Sequence, residues 1–210
     1  MPGFGSSFDP RVDPPSISWY ADLYYEMFSS FPEFQHGACH IIGHHSGAVI
    51  ATELAASRNG WVQSLTLVGP TIMSADERAK MKKSFLAPFN RPRSTGGHLV
   101  ETWHYVADKG IAYDKTELLQ RESLDHIRAW KGRSQIYACV WEYDCESRIK
   151  SIDDACKVMA LCAQDDVLWP YFENVRSVGK GVLSKEIHGA NFGPDLDPDG
   201  IVREFFSMDC

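Results

Sequence analysis

The sequence holds six cysteines but no pair at C-x-x-C spacing. That absence leaves a zinc ribbon or a thioredoxin-type redox motif without support. The start, Met1-Pro2-Gly3-Phe4-Gly5, has neither a basic n-region nor an apolar h-region, so it does not read as a signal peptide. The thiols are therefore expected to be reduced and mostly buried, in a cytoplasmic protein. Cys210 is the final residue and cannot be the cysteine of a C-a-a-X box, and Ser207-Met208-Asp209-Cys210 is not a peroxisomal address. No uncharged apolar run is long enough to span a membrane. No self-similar period marks a repeat array. Basic residues are also short: 21 Lys and Arg against 28 Asp and Glu give a net charge of −7. That balance argues against a nucleic-acid partner, whose binding rests on clustered Lys and Arg. The one basic cluster, Arg78, Lys80, Lys82 and Lys83, reads as a solvated helix face.

What is present is material for a core. Hydrophobic residues make up 44% of the 210, with six Trp, eight Tyr and eleven Phe, which excludes disorder as the main state. A chain of this size is expected to bury roughly 70% of its unfolded surface. Residues 1–15 are rich in Gly, Pro and Ser and read as a loop. Helical spacing follows over 16–30, through Trp19, Leu23, Met27 and Phe28. Ala38–Gly43 is a short apolar run bounded by turn residues, hence a strand. The spacing predicts a helix over 47–56, a strand over 64–68, and a turn at Gly69-Pro70. Ser74-Ala75-Asp76-Glu77 has the capping-box form. Helices are expected over 98–107, 116–130 and 134–143. A strand over 157–162, a helix over 167–178, a strand over 181–187 and a helix over 198–206 complete the pattern.

Short apolar strands alternating with helices imply an α/β fold, a mostly parallel sheet with helices on both faces. The helical stretch from about 71 to 150 interrupts the alternation and reads as an inserted cap. Domain boundaries follow: 1–70 as the first part of the core, 71–150 as the cap, 151–210 as the second part. Ligands of such sheets bind outside the carboxyl ends of the strands. Residues 43–46, 69–71, 164–166 and 188–191 should therefore gather on one rim.

The turn Gly43-His44-His45-Ser46-Gly47-Ala48 lies between a strand and a helix, where a nucleophile elbow sits. Here the chain resembles the α/β-hydrolase superfamily of the helical-cap type. Pro2-Gly3-Phe4-Gly5-Ser6 resembles the loop before its first large helix. Residues 41–48 resemble its elbow, 65–70 its next strand, and 158–166 the strand that carries the acid. The resemblance implies an enzyme without metal or organic cofactor. It also implies a nucleophile, base and acid beneath a cap, acting on a small apolar ester, lactone or polyketide-type metabolite. Trp103, Tyr105, Trp130, Tyr137, Trp141 and Tyr143 are the cap aromatics available to line its pocket; His98, His104 and His126 are read as surface or cap residues without a role.

The pattern is departed from in three places. The elbow needs small residues two before and two after the nucleophile. The register with glycine at both, Gly43 and Gly47, puts His45 at the nucleophile. The other register makes Ser46 the nucleophile and needs a small residue at His44. His45 at the nucleophile position can act as general acid or base instead of forming a stable acyl-enzyme. Counting back from Pro198, the family's catalytic histidine falls on Asn191, and His188 is the alternative if the loop shifts. Asp166 stands in the acid position, with Asp165 beside it. The catalytic candidates are thus His45, Ser46, Asp166, His188 and Asn191.

By the same resemblance, the strands that begin the family's core and their His-Gly oxyanion loop lie upstream of the PGFG loop. The chain then reads either as a fragment or as a protein with an exposed sheet edge, through which it could associate. Three functions remain open: a hydrolase, a cofactor-free lyase, isomerase or cyclase using His45 as acid and base, and a non-catalytic binding protein.

Overall fold

The computed structural model describes residues 1–34, 39–179 and 181–208. Ala38 and Cys210, which figured in the sequence reading, lie outside them. Helix α1 (Ile17–Ser29) opens at Ser16, whose side chain accepts from the Trp19 amide and meets one of the amides a helix start leaves open. Strand β1 (Cys39–His44), helix α2 (Ser46–Ser57) and strand β2 (Val62–Val68) follow. Five helices come next: α3 (Ala75–Phe85), α4 (Gly97–Asp108), α5 (Thr116–Arg128), α6 (Trp130–Val140) and α7 (Cys145–Lys150). The chain then returns through β3 (Lys157–Ala163), a short α8 (Val175–Val178), β4 (Leu183–Ile187), α9 (Gly193–Leu196) and α10 (Pro198–Ser207).

The four strands form one parallel sheet in the order β1-β2-β3-β4. Parallel neighbours need crossovers that cover the sheet, so its strands become apolar on both faces. β2 shows this: five consecutive residues, Ser64–Val68, are buried. On one face α1, α2, α6 and α7 build the main core around Tyr20, Leu54, Leu65, Leu67 and Ile136. On the other, α10 covers a smaller cluster of Val68, Met159, Leu161, Ile187, Ile201 and Met208. Among the described residues β1 pairs with β2 alone, and Ile42 on that outer strand is 47% exposed. Among the described residues no helix is long and apolar enough to cross a membrane.

Helix α2 positions the turn that matters. It buries every residue from Ala48 to Ala55. A Cβ on Gly43 would lie 2.5 Å from the Gly47 carbonyl oxygen and 2.8 Å from Ala48 Cα, so only glycine lets α2 approach the end of β1 this closely. The expected constraint at Gly47 is absent, since a Cβ there meets open space. A buried carboxylate anchors the far end of α2. Glu53 accepts two hydrogen bonds from the Arg148 guanidinium, at 2.9 and 3.0 Å, and one from the Tyr143 hydroxyl at 2.7 Å.

Several expected boundaries shift. The capping box at Ser74 is formed in full. The helices expected over 116–130 and 134–143 meet at Ala129 instead of being separated by residues 131–133. The Arg133 amide donates to the Ala129 carbonyl at 2.7 Å and carries the ladder through. The helix expected over 167–178 is a 3-10 turn, Trp169–Asn174, followed by α8, because Pro170 supplies no amide to an α-helical ladder. The face holding Arg78 is not wholly solvated: its side chain is 14% exposed and donates to the Met73 carbonyl. Cys39, Cys139, Cys145 and Cys162 are free and buried, and Cys156 is half-buried.

Candidate active site

The site begins where β1 stops. The His45 amide donates to the Val68 carbonyl at 2.9 Å, and its own carbonyl accepts from Ala48 and Val49. Between these fixed points His45 takes φ 48° and ψ −113°. Among the described residues only His45 and Ala190 hold a positive φ without being glycine. Such a conformation costs on the order of 1–3 kcal/mol and persists only where the surroundings impose it. Its effect is to lift the imidazole off the end of the sheet, beside the first turn of α2. The first amides of that helix, Ser46 and Gly47, have no preceding turn to bond to.

Asp166 comes to the same place from the end of β3. Its Oδ2 accepts from His45 Nε2 at 2.8 Å, and its Oδ1 accepts from the Leu168 amide at 2.7 Å. The carboxylate thus caps its own turn and orients the histidine together. Asp166 is only 5% exposed. A carboxylate only accepts, so Nε2 carries the proton and Nδ1 is the free basic nitrogen of neutral His45. No hydrogen bond joins the Ser46 hydroxyl to a base among the described residues.

His44 lies behind this pair, its ring centroid 4.2 Å from that of His45. Its Nε2 is buried without a hydrogen-bond partner. Burial, then the adjacent His45, hold its imidazole well below the ordinary histidine range, against a hydrogen bond that it donates to the Asn191 backbone carbonyl. His126, across the cavity, is also lowered, chiefly by burial. Each therefore takes up its proton at a lower pH in the fold than in the unfolded chain, which protonates near about pH 6.5. Stability is then full above that pH and falls as pH drops below it, by up to about 1.4 kcal/mol per pH unit and group. Glu122, raised by burial, works the other way. Denaturant titrations of the parent and of His44→Gln between pH 7.5 and 5.5 separate these. The variant is expected to lose less stability on acidification; equal losses would remove His44 from the account.

Asn191 and His188 part company. The Asn191 side-chain oxygen accepts from the Val167 amide at 3.1 Å, and its backbone amide donates to Lys109. It fixes the loop beside Asp166 and lines the same cavity as His45. His188 is exposed, its amide bonded to Asp197, and does not line that cavity. Asp165 accepts from the Ala190 amide at 3.0 Å. Of the five candidates, the fold brings His45, Ser46, Asp166 and Asn191 to one rim and leaves His188 outside.

The cavity over this rim has a volume of about 380 Å³. Tyr105 of α4 and Tyr137 of α6 form part of its wall, with Arg133, one helical turn before Tyr137. Burial raises the Tyr137 hydroxyl to about 12, so it remains a donor. Arg133 and His126 were missed as site residues. Their signal was helical phase: Arg133 and Tyr137 are four apart and share a face. His44, His45 and Asp166 also place three metal-type donor atoms within 4.8 Å of one another, the sole such trio among the described residues. A cation there would have to displace the His45–Asp166 hydrogen bond.

No protein-family profile matches the sequence, and no curated protein does. Solved structures do. A hydrolase from Pseudomonas aeruginosa PA01 superposes with TM-score 0.75 at 14% identity, covering 98% of this chain and 77% of that one. The enol-lactonase from Burkholderia xenovorans LB400 gives 0.73 at 13% identity, over 99% and 78%. An esterase from Rhodococcus sp. ECU1013 gives 0.72 at 15% identity, over 99% and 77%. With its parallel sheet, its elbow after β1 and an aspartate after β3, the chain has the α/β-hydrolase fold.

Proposed function

We propose that the protein is a cofactor-free enzyme of hydrolase type, acting on a small ester, lactone or polyketide-type substrate, in which His45 is general base and acid. The observation that carries this reading is the 2.8 Å bond between His45 and Asp166 at the elbow. In it, Nδ1 of His45 takes a proton from water as the water oxygen attacks the substrate carbonyl. The imidazolium, steadied by Asp166, returns that proton to the leaving alkoxide as the acyl–oxygen bond breaks. The unpaired amides of Ser46 and Gly47 face the oxygen on which charge develops. Residues 71–150 act as the cap that holds the substrate over the dyad, and Asn191 positions the loop behind it.

The same constellation supports a second reading, a lyase, isomerase or cyclase. There Nδ1 removes a proton from carbon instead of from water. The absence of any base bonded to the Ser46 hydroxyl favours both over a serine acyl-enzyme. Treatment with a fluorophosphonate followed by intact-mass and peptide analysis tests this. No adduct is expected at Ser46. A stoichiometric adduct there would replace the His45 mechanism by a serine one. A protein that gives no adduct and turns over no ester, lactone or enolisable ketone would be a binding protein.

A further inference from the structure

Arg133 is buried, at 7% exposure, yet forms no ion pair with a carboxylate among the described residues. Its guanidinium donates to the Phe85 carbonyl at 3.1 Å and to the Tyr105 hydroxyl at 3.4 Å. Those two neutral acceptors leave most of a five-donor fork unanswered. Three rings surround it, with Phe89, Tyr105 and Tyr137 centroids at 5.3, 5.8 and 5.0 Å. Cation–π contact of this kind offsets only part of the cost of burying a charge. Lys109 stands beside it in the same wall, its Nζ 5.8 Å from the Tyr105 and Phe85 rings and likewise without a carboxylate partner.

The cavity's acids do not neutralise this pair. Glu122 and Asp195 are both taken by Arg121 on the outside, and Asp125 is solvent-exposed. Arg133 meanwhile lines the cavity together with His45 and Asn191. A buried cation without a counter-ion, opening onto a cavity beside a proton-transfer dyad, requires an anion from the ligand. We propose that Arg133, assisted by Lys109, is the binding site for a carboxylate on the substrate, whose apolar body lies against Tyr105 and Tyr137. As a statement about substrate this rests on the His45 reading; as a binding site it stands without it.

The test uses phenylacetate and its neutral amide, phenylacetamide, as probes, titrated calorimetrically into the full chain. Phenylacetate is expected to bind at least about tenfold more tightly than the amide, because a charge-assisted fork is lost with the charge. Arg133→Gln should weaken phenylacetate by about tenfold or more and leave the amide unchanged, while Arg133→Lys should fall between, having charge without the planar fork. The comparison of acid with amide needs only the parent protein, so it holds even if the glutamine variant does not fold. Equal affinity for acid and amide, no binding of phenylacetate, or undiminished binding by a folded Arg133→Gln would each overturn the site. His45→Ala is expected to bind phenylacetate as the parent does. Binding with no turnover by any variant or the parent would sink the catalytic reading and leave the carboxylate site standing.

Discussion

Replacing His45 with alanine is expected to lower turnover by about two to four orders of magnitude, the usual worth of a positioned general acid–base group. Ser46→Ala should stay within about threefold of the parent, since it keeps the backbone amide that faces the oxyanion. The two substitutions therefore discriminate between the registers of the elbow. Asp166→Asn supplies the third arm. An amide in place of the carboxylate can present its NH₂ to Nε2, reverse the tautomer and place the proton on Nδ1, where the base must be. Its loss should approach that of His45→Ala, although the side chain is nearly the same size. It should also lose the carboxylate that steadies the imidazolium. Turnover of each variant is measured on whichever ester, lactone or enolisable ketone the parent accepts. A large loss in Ser46→Ala with little loss in His45→Ala would refute the assignment. Folding is controlled by near-UV circular dichroism, because His45 is packed against His44.

How far the sequence leads differs between fold and site. The sheet was legible because β2 and β3 are buried on both faces, and burial on both faces leaves unbroken apolar runs. The elbow was legible because Gly43 must be small, a requirement that the approach of α2 imposes locally. The choice between Asn191 and His188 was not. It depends on how the loop after β4 folds, which is set by Asp165, Asp197 and Lys109, residues far apart in the chain. Arg133 was hidden for a similar reason. Its burial depends on α3 and α4 lying over α6, through Phe85 and Tyr105. An arginine within a helical pattern otherwise reads as a solvated residue.

Gly69→Ala is expected to have the second large effect, through a residue that has no chemistry of its own but lies against the dyad. Gly69 holds φ 58°, a left-handed conformation that a side chain strains. Its amide donates to the Leu161 carbonyl at 2.7 Å, so β3 pins it in place. A Cβ built there would lie 2.5 Å from His45 Cδ2, 2.7 Å from His45 Nε2 and 3.2 Å from Asp166 Oδ2. The added methyl group would thus enter the gap across which the dyad's hydrogen bond runs. The backbone cannot retreat without breaking the β3 bond, so the imidazole must swing away from Asp166. Strain at the positive φ costs about 1 kcal/mol or more of stability, while losing the oriented base should lower kcat about a hundredfold or more. Stability and turnover should therefore separate: a modest fall in Tm beside a near-complete loss of activity. The imidazole reports the event directly, because the Nε2 proton of His45 should lose its downfield resonance when the Asp166 bond breaks. A variant that keeps that resonance and its turnover would show that the loop after β2 yields more easily than its hydrogen bond to β3 implies.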